Sequence, residues 1–221
     1  MKNRKTGSDS FLQNPFSSAP DTLPGSIFVT DFDDDNLEAF VSRFLNAEQD
    51  PGVQEIIVWV SSYGGDAYNG LAMADMVKYS TKPVWTVALG KAMSAGALLL
   101  SAGHKGRRCA LPNSYIMVHE VRIDGFGGKT HEFLQQAGEM KNLNNRFLTV
   151  LAENSGKTVS ELKALLAKKH NADMTMDAEQ SKVFGIIDHI GLPKNIKQTA
   201  EGVMLATPPN KGKGRKTPKK A

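Results

Sequence analysis

The sequence lacks features that would place it in several common protein classes. Only one of its 221 residues is a cysteine, Cys109, so no intrachain disulfide can form, and a lone thiol in an apolar segment is typical of a reducing compartment. No apolar run reaches the roughly 20 residues that a transmembrane helix needs. The first ten residues, MKNRKTGSDS, have no apolar region behind their basic start, which argues against a secretory signal peptide. We therefore expect a soluble, cytoplasmic protein with no membrane partner.

Acidic residues are absent from the last fifteen positions, TPPNKGKGRKTPKKA, which contain six lysines or arginines. Without this segment the net charge of +4 becomes −2, so a nucleic-acid surface on the rest of the chain is not expected. A segment rich in Pro, Gly and Lys buries little apolar surface, and we expect a disordered basic tail over residues 196–221. Its composition favours a solubilising role over weak, charge-driven binding of nucleic acid. Residues 1–23, rich in Ser, Asn and Pro, are predicted to form a flexible N-terminal segment.

Between these ends, residues 24–195 alternate between short apolar runs and amphipathic segments. Strands are predicted at 26–30, 55–60, 83–89, 108–111, 115–119 and 184–190, and helices at 36–46, after residue 66, after residue 94, at 129–154, at 159–169 and shortly before the last strand. The alternation predicts one α/β domain with parallel strands. The helix at 129–154 is longer than most globular helices, which indicates an element that projects from the domain.

One serine, Ser94, lies among small and apolar residues in the stretch GKAMSAGALLLS, directly after a predicted strand. A serine at a helix start often caps backbone N–H groups. A serine in the same place can also act as a nucleophile, because the helix dipole favours developing negative charge. The residue alone favours the cap, since most matches to a short motif are false positives.

Further candidate groups follow neighbouring strands, at the edge where open α/β sheets bind ligands. His119 ends an apolar strand, Asp173 lies in a later loop, and Gly64 and Gly65 interrupt the chain after an earlier strand. A serine, a histidine and a carboxylate are the components of an acyl-transfer triad, and paired glycines leave N–H groups free to bind an oxyanion. Each residue also has a structural interpretation, as a buried histidine, a helix cap or a simple turn.

Other residues of the same types have simpler interpretations. Asp177 can cap a helix, and Asp188 falls in the predicted final strand. The remaining histidines have the sequence surroundings of surface or loop residues: His104, His131, His170 and His189. An acidic cluster directly precedes the first helix, and we favour a capping role over a metal site for its members: Asp31, Asp33, Asp34 and Asp35.

Two longer stretches carry a family resemblance. SAGALLLSAGHKGRRCALPNSYIMVHE, residues 94–120, resembles the nucleophile helix, the following strand and the histidine strand of the Clp protease proteolytic subunits, the ClpP family of serine peptidases. DMTMDAEQSKVFGIID, residues 173–188, is similar to the family segment that carries the acid. The resemblance runs from about residue 27 to residue 191. It implies an α/β, ClpP/crotonase-like fold of ββα repeats, with a protruding handle at about 122–154.

For the site, the resemblance implies that Ser94 is the nucleophile, His119 the general base, and Asp173, rather than Asp177, the acid that orients the base. It implies that Gly65 and Ala95 supply the oxyanion N–H groups, with Gly64 beside them in the substrate-binding turn.

The same resemblance implies what the protein acts on and with. Unfolded polypeptides would be hydrolysed inside a chamber of heptameric rings, with two rings stacked into a 14-mer. Neither a metal nor a cofactor would be needed, and ATP would enter only through a partner AAA+ unfoldase.

The chain departs from the family pattern at four positions. Tyr63 replaces a proline, Asp66 a small polar residue, Ala95 a methionine, and Ala172 an arginine used between rings. Asp66 would disfavour acidic peptides or simply cap the next helix. The long N-terminus and basic tail resemble divergent members, including phage-encoded proteins of capsid maturation. Two alternatives therefore stay open: a non-catalytic, capsid- or scaffold-associated assembly protein, and a crotonase-type acyl-CoA enzyme, which needs oxyanion N–H groups but no Ser–His pair.

Overall fold

The computed structural model describes residues 24–122, 125, 128–168, 173–193, 196–199 and 202–205. The strands are β1 (Ser26–Val29), β2 (Ile56–Ser62), β3 (Val84–Met93), β4 (Arg108–Ala110), β5 (Tyr115–Val118), β6 (Met174–Met176), β7 (His189–Ile190), β8 (Ile196–Thr199) and β9 (Gly202–Leu205). The helices are α1 (Asp34–Gln49), α2 (Ala67–Lys78), α3 (Ala95–Ala102), α4 (Thr130–Ser155), α5 (Val159–Lys168) and α6 (Ala178–Phe184). The N-terminal segment predicted to be flexible, at 1–23, and the departure at Ala172 lie outside the described residues.

The main sheet is organised around β3. Parallel pairs join the strands in the order β1-β2-β3-β4-β7, while β5 also pairs with β3 in parallel and β6 pairs with β5 antiparallel. Along β3, residues 86–88 lie beside β4 and residues 91–93 lie beside β5. Gly90, with a φ of +72°, lies between the two halves, a conformation that glycine adopts without steric cost. The strand therefore continues past its predicted end at 89 and brings its C-terminus next to β5.

Strand β2 is buried on both faces, as its continuous apolar run predicts. Ile56, Val58 and Val60 of β2 join the main core. The opposite face holds a smaller cluster that includes Trp59 and Cys109. Burial, with a contribution from the negative charge of Asp188, raises the pKa of the Cys109 thiol to about 12, so this thiol stays protonated and unreactive.

Helix α3 is buried along its whole length, at all eight of its positions. It contacts the sheet and the helices α2 and α4. The residue at its start is consequently held by a rigid, close-packed element. Among the described helices, none is both long enough and apolar enough to cross a membrane.

Residues 184–190 differ from the strand predicted there. Phe184 ends α6, and Gly185 closes that helix in the left-handed conformation, with a φ of +97°. Only the two residues of β7 pair with β4. Ile186 and Ile187 are buried, so their apolar character reflects core packing and not strand pairing, which the pattern alone does not distinguish.

Asp188, predicted within that strand, directly precedes β7 and pairs with a buried arginine. Its carboxylate accepts from Nε and Nη2 of Arg108, at 2.8 and 2.5 Å, and from the backbone N–H groups of Gly106 and Arg108. Burial alone would raise the pKa of Asp188, but these hydrogen bonds and the charge of Arg108 hold it below its ordinary value. The carboxylate is therefore a structural anchor for the turn between β4 and α3.

The segment predicted to be a disordered tail begins with ordered structure. Residues of β8 pair with β9 in an antiparallel sheet of two strands, separated by two positions in the sequence. Apolar and β-branched residues flanking a short connection are typical of a hairpin. The prediction of disorder thus differs from the structure over these eight residues, and the lysine-rich positions after 205 lie outside the described residues.

Candidate active site

Ser94 occupies a sharp turn between β3 and α3. With a φ of +55° and a ψ of −119°, it is the one residue other than glycine that has a positive φ in the part of the chain that the structure describes. Such a conformation costs about 1–3 kcal/mol and persists only where surrounding contacts hold it. The Ser94 N–H donates to the Met117 carbonyl at 2.8 Å, and the Ser94 carbonyl accepts from Ala97 and Leu98. A strained turn from strand to helix is the geometry of a nucleophile elbow.

The Ser94 side chain does not cap α3. Although Ser94 is the N-cap residue by position, its side chain makes no capping hydrogen bond. The capping interpretation of this serine is therefore wrong, and the hydroxyl, which is partly exposed, stays available for another role.

Gly64 lies directly against Ser94. A Cβ atom added at Gly64 would be 2.7 Å from the Ser94 Cβ and 2.9 Å from the Met93 carbonyl oxygen, and Gly64 has a φ of +106°. Its N–H donates to the hydroxyl of buried Ser62 at 3.0 Å. Only glycine fits here, because a side chain meets both a steric clash and an unfavourable φ.

The Gly64–Gly65 turn and the start of α3 both lie beside the serine. Gly65 forms an isolated parallel bridge with Phe32, and the next N–H, of Asp66, donates to the Phe32 carbonyl at 3.2 Å. This bridge fixes the peptide planes of the Gly64–Gly65 turn beside Ser94. The N–H of Ala95 opens α3, so it has no acceptor within the helix and lies at the positive end of the helix dipole. Such groups can stabilise an anion.

His119 and Asp173 lie opposite each other across β5 and β6. The antiparallel register pairs Val118 with Met174 and Met117 with Thr175, and one further step along the same register matches 119 with 173. On the other side of β5, Met117 is the partner of Met93 and accepts the Ser94 N–H. Strand β5 therefore brings the serine and the carboxylate to the two sides of the histidine.

The protonation of His119 is set by its surroundings. Burial lowers the pKa of the imidazole, the Asp173 carboxylate raises it, and the Arg122 guanidinium lowers it again, so that the pKa lies below its usual value of 6.5. At neutral pH the ring is therefore uncharged and able to accept a proton. The effect of Arg122 on the histidine is not predictable from the sequence, because nothing in the local pattern shows that the two residues lie close together.

Ser94, His119 and Asp173 line one open cleft of about 490 Å³. One wall is mostly apolar and comes from β5, the segment after it and α4: Met117, Val121, Met140, Leu143 and Phe147. The rest of the lining is mostly polar or aromatic and comes mainly from the turn after β2 and the start of α2, with one arginine from the segment after β5: Tyr63, Gly65, Asp66, Ala67, Tyr68 and Arg122. The residues from α4 therefore belong both to an amphipathic helix and to the lining of the cleft.

Several alternative site residues have structural partners instead. Asp177 caps α6, accepting from the Gln180 N–H at 2.7 Å, and Asp33 caps α1. Asp66 caps α2 by accepting from Tyr68 and Asn69 while it lines the cleft. No three side chains of His, Cys, Asp or Glu are grouped to hold a metal ion within the described ranges.

The other three histidines that the structure describes lie apart from the cleft. His104 contacts the Val77 carbonyl and accepts from the Val84 N–H, and exposed His189 contacts the Gly106 carbonyl. His131 is exposed beside Glu132. The fourth, at position 170, lies outside the described residues.

A protein-family model also matches this chain. The model of the Clp protease family matches residues 25–194, which is more than half of the chain and includes the cleft and the helix α4. The family implies peptidase activity, and its members generally form oligomeric rings with AAA+ partners. By this match, the chain belongs to the Clp protease family.

Proposed function

We propose that the protein is a serine endopeptidase in which Ser94, His119 and Asp173 form the catalytic triad. The observation that carries the proposal is the strained turn at Ser94, whose hydroxyl is not used as a cap and opens into the cleft that also holds the histidine and the carboxylate. Strain of this kind is typical of functional residues.

In the proposed reaction, the Ser94 Oγ attacks the scissile carbonyl while His119 takes its proton. The carbonyl oxygen becomes an oxyanion, and the N–H groups of Gly65 and Ala95 stabilise it, one such donor being worth about 3 kcal/mol of barrier. Collapse of the intermediate breaks the C–N bond, the amine leaves with the proton from His119, and an acyl-enzyme remains. A water molecule, deprotonated by His119, then releases the acid and restores the serine.

Within this mechanism the other residues orient the reacting groups. Asp173 would keep the His119 tautomer that points its free nitrogen towards Ser94 and would stabilise the imidazolium that forms. Gly64 leaves room for the serine, since any side chain at this position would collide with it. Acyl transfer of this type needs neither a metal nor a cofactor.

The proposed substrates are unfolded polypeptides. A cleft of about 490 Å³ that is open to solvent accepts an extended chain, and its apolar wall suits apolar side chains. We also propose a heptameric ring that stacks into a 14-mer and works with an AAA+ unfoldase, as is general for this family. The crotonase-type and scaffold alternatives gain no specific support from the cleft.

Labelling with a serine-reactive fluorophosphonate tests the proposal. Intact-mass spectrometry should find one adduct per chain on the parent and on Ser160→Ala, which changes an exposed serine of α5, and none on Ser94→Ala. An activated serine alone reacts, because a free hydroxyl is a weak nucleophile. Assembled parent protein that takes no adduct would contradict the proposal and favour the scaffold alternative.

The pH dependence of kcat/KM gives a second prediction. Since neutral His119 is the active form and its pKa is lowered, activity should fall only as pH drops below 6.5. Arg122→Ala removes a positive charge that disfavours imidazolium, so the acidic limb should move to higher pH. Arg146→Ala, an exposed arginine of α4, should leave the limb in place. If the acidic limb of kcat/KM lay at the same pH for the parent and for Arg122→Ala, this role of the guanidinium would be refuted.

A further inference from the structure

The chain directly after His119 is fastened to α4 by one amide side chain. The Val121 N–H donates to Oδ1 of Asn144 at 2.9 Å. The Asn144 Nδ2 donates to Oε1 of Glu120 at 3.2 Å. Asn144 thus holds two consecutive residues, the first of which follows the histidine.

This attachment lies where the strand has ended. Strand β5 stops at Val118, so His119 lies one residue beyond the end of the strand. Beyond His119, the chain is next fixed by the two hydrogen bonds to Asn144. On α4, Asn144 lies two helical turns before Leu151, which is buried in the main core. His119 therefore lies between the end of β5 and the two residues that are hydrogen-bonded to α4.

We propose that Asn144 is a positioning residue for the general base, a role that rests on the proposed function. By fixing Glu120 and Val121 against α4, it sets the backbone direction after His119 and keeps the imidazole between Ser94 and Asp173. A displacement of about 1 Å at a catalytic group can cost about 100-fold in rate, so a clamp on the adjacent peptide has a direct kinetic consequence.

The neighbouring asparagine supplies a matched control. Oδ1 of Asn145 accepts from Nζ of Lys163 at 2.8 Å, which directs this side chain to α5 and away from the histidine segment. Asn144→Leu and Asn145→Leu place the same side chain at adjacent positions of one helix. Each removes a hydrogen-bonding amide, and only the first releases the segment after His119.

A swapped pair tests the bonds themselves. Asn144→Asp retains the acceptor for the Val121 N–H but sets a carboxylate against Glu120. Adding Glu120→Gln lets the new glutamine donate to that carboxylate, so both bonds return with one of them reversed and the net charge unchanged.

The kinetic measurement is kcat and KM for a fluorogenic peptide, with ring assembly followed by sedimentation. Asn144→Leu should lower kcat roughly 10-fold with KM within about twofold, because substrate contacts remain while the base is displaced. Asn145→Leu should match the parent, and the swapped double variant should recover most of the lost kcat. A kcat for Asn144→Leu equal to that of the parent, or no recovery in the swapped pair, would overturn the proposal.

Hydrogen exchange in the Ser94→Ala background gives a readout without catalysis. Fragments covering 119–122 should exchange slowly in that background and in Asn145→Leu, and faster in Asn144→Leu. If these fragments exchanged at the same rate in all three proteins, Asn144 would not restrain the segment after His119, and the proposal would be overturned. A parent that takes no fluorophosphonate adduct overturns the proposed function instead, so the two failures are distinguishable.

Discussion

Ser94→Ala is expected to lower kcat/KM for peptide hydrolysis by about 10⁴-fold or more, the range seen when the nucleophile of a serine triad is removed. The substitution deletes one oxygen and keeps the Cβ atom, so the strained backbone with its φ of +55° is unchanged. Since the lost hydroxyl makes no capping bond, the urea midpoint of unfolding should stay that of the parent. Steady-state hydrolysis of a fluorogenic peptide, together with urea unfolding, measures both effects.

Double variants sharpen this prediction. Residues of a triad act as a unit, so Ser94→Ala combined with His119→Ala should be no slower than Ser94→Ala alone. Ser160→Ala serves as the control for a lost hydroxyl at an exposed position. If Ser94→Ala retained more than about one hundredth of the activity, another group would be the nucleophile and the triad would have to be reassigned.

The fold was predictable to the extent that local patterns determine it. The continuous apolar runs of β2 and β3 predict strands because most of their positions are buried, and the periodicity of α4 predicts a helix because its buried residues recur along one face. The apolar run at 184–190 was wrongly predicted to be one strand, because Ile186 and Ile187 are buried in the core without pairing with a neighbouring strand. An apolar pair by itself reports burial and carries no information on hydrogen-bonding partners.

The candidate site was predictable in its residue types and only partly in its arrangement. Ser94, His119 and Asp173 follow strands or precede them, but the antiparallel pairing of β5 with β6 that brings the last two together is a long-range contact. No local signal predicts the hydrogen bonds of Asn144 or the position of the Arg122 charge near His119, since both depend on how α4 and the segment after β5 pack. Such contacts are properties of the tertiary structure.

Asp188→Ala is expected to destabilise the folded protein by about 3–5 kcal/mol, because it leaves a buried arginine without its counter-ion. Arg108 is 1% exposed. Its Nη1 donates to the carbonyls of Asn154 and Gly185 at 2.6 and 2.9 Å, while Nε and Nη2 bind the carboxylate. The guanidinium therefore joins β4 to the ends of α4 and α6, and removing Asp188 also deprives the Gly106 N–H of its acceptor. Urea unfolding followed by the fluorescence of the two tryptophans, at one fixed protomer concentration, measures the loss.

The exposed pair Lys78–Glu153 provides the comparison, since its side chains are 49% and 57% exposed. Glu153→Ala should cost less than about 1 kcal/mol, because solvent screens a surface ion pair. Arg108→Met with Asp188→Leu should be more stable than Asp188→Ala alone, since no unpaired charge stays buried. A loss for Asp188→Ala no larger than that for Glu153→Ala would mean that water or another carboxylate reaches the guanidinium, and that the anchor between β4 and the helix ends depends on the carbonyl contacts alone.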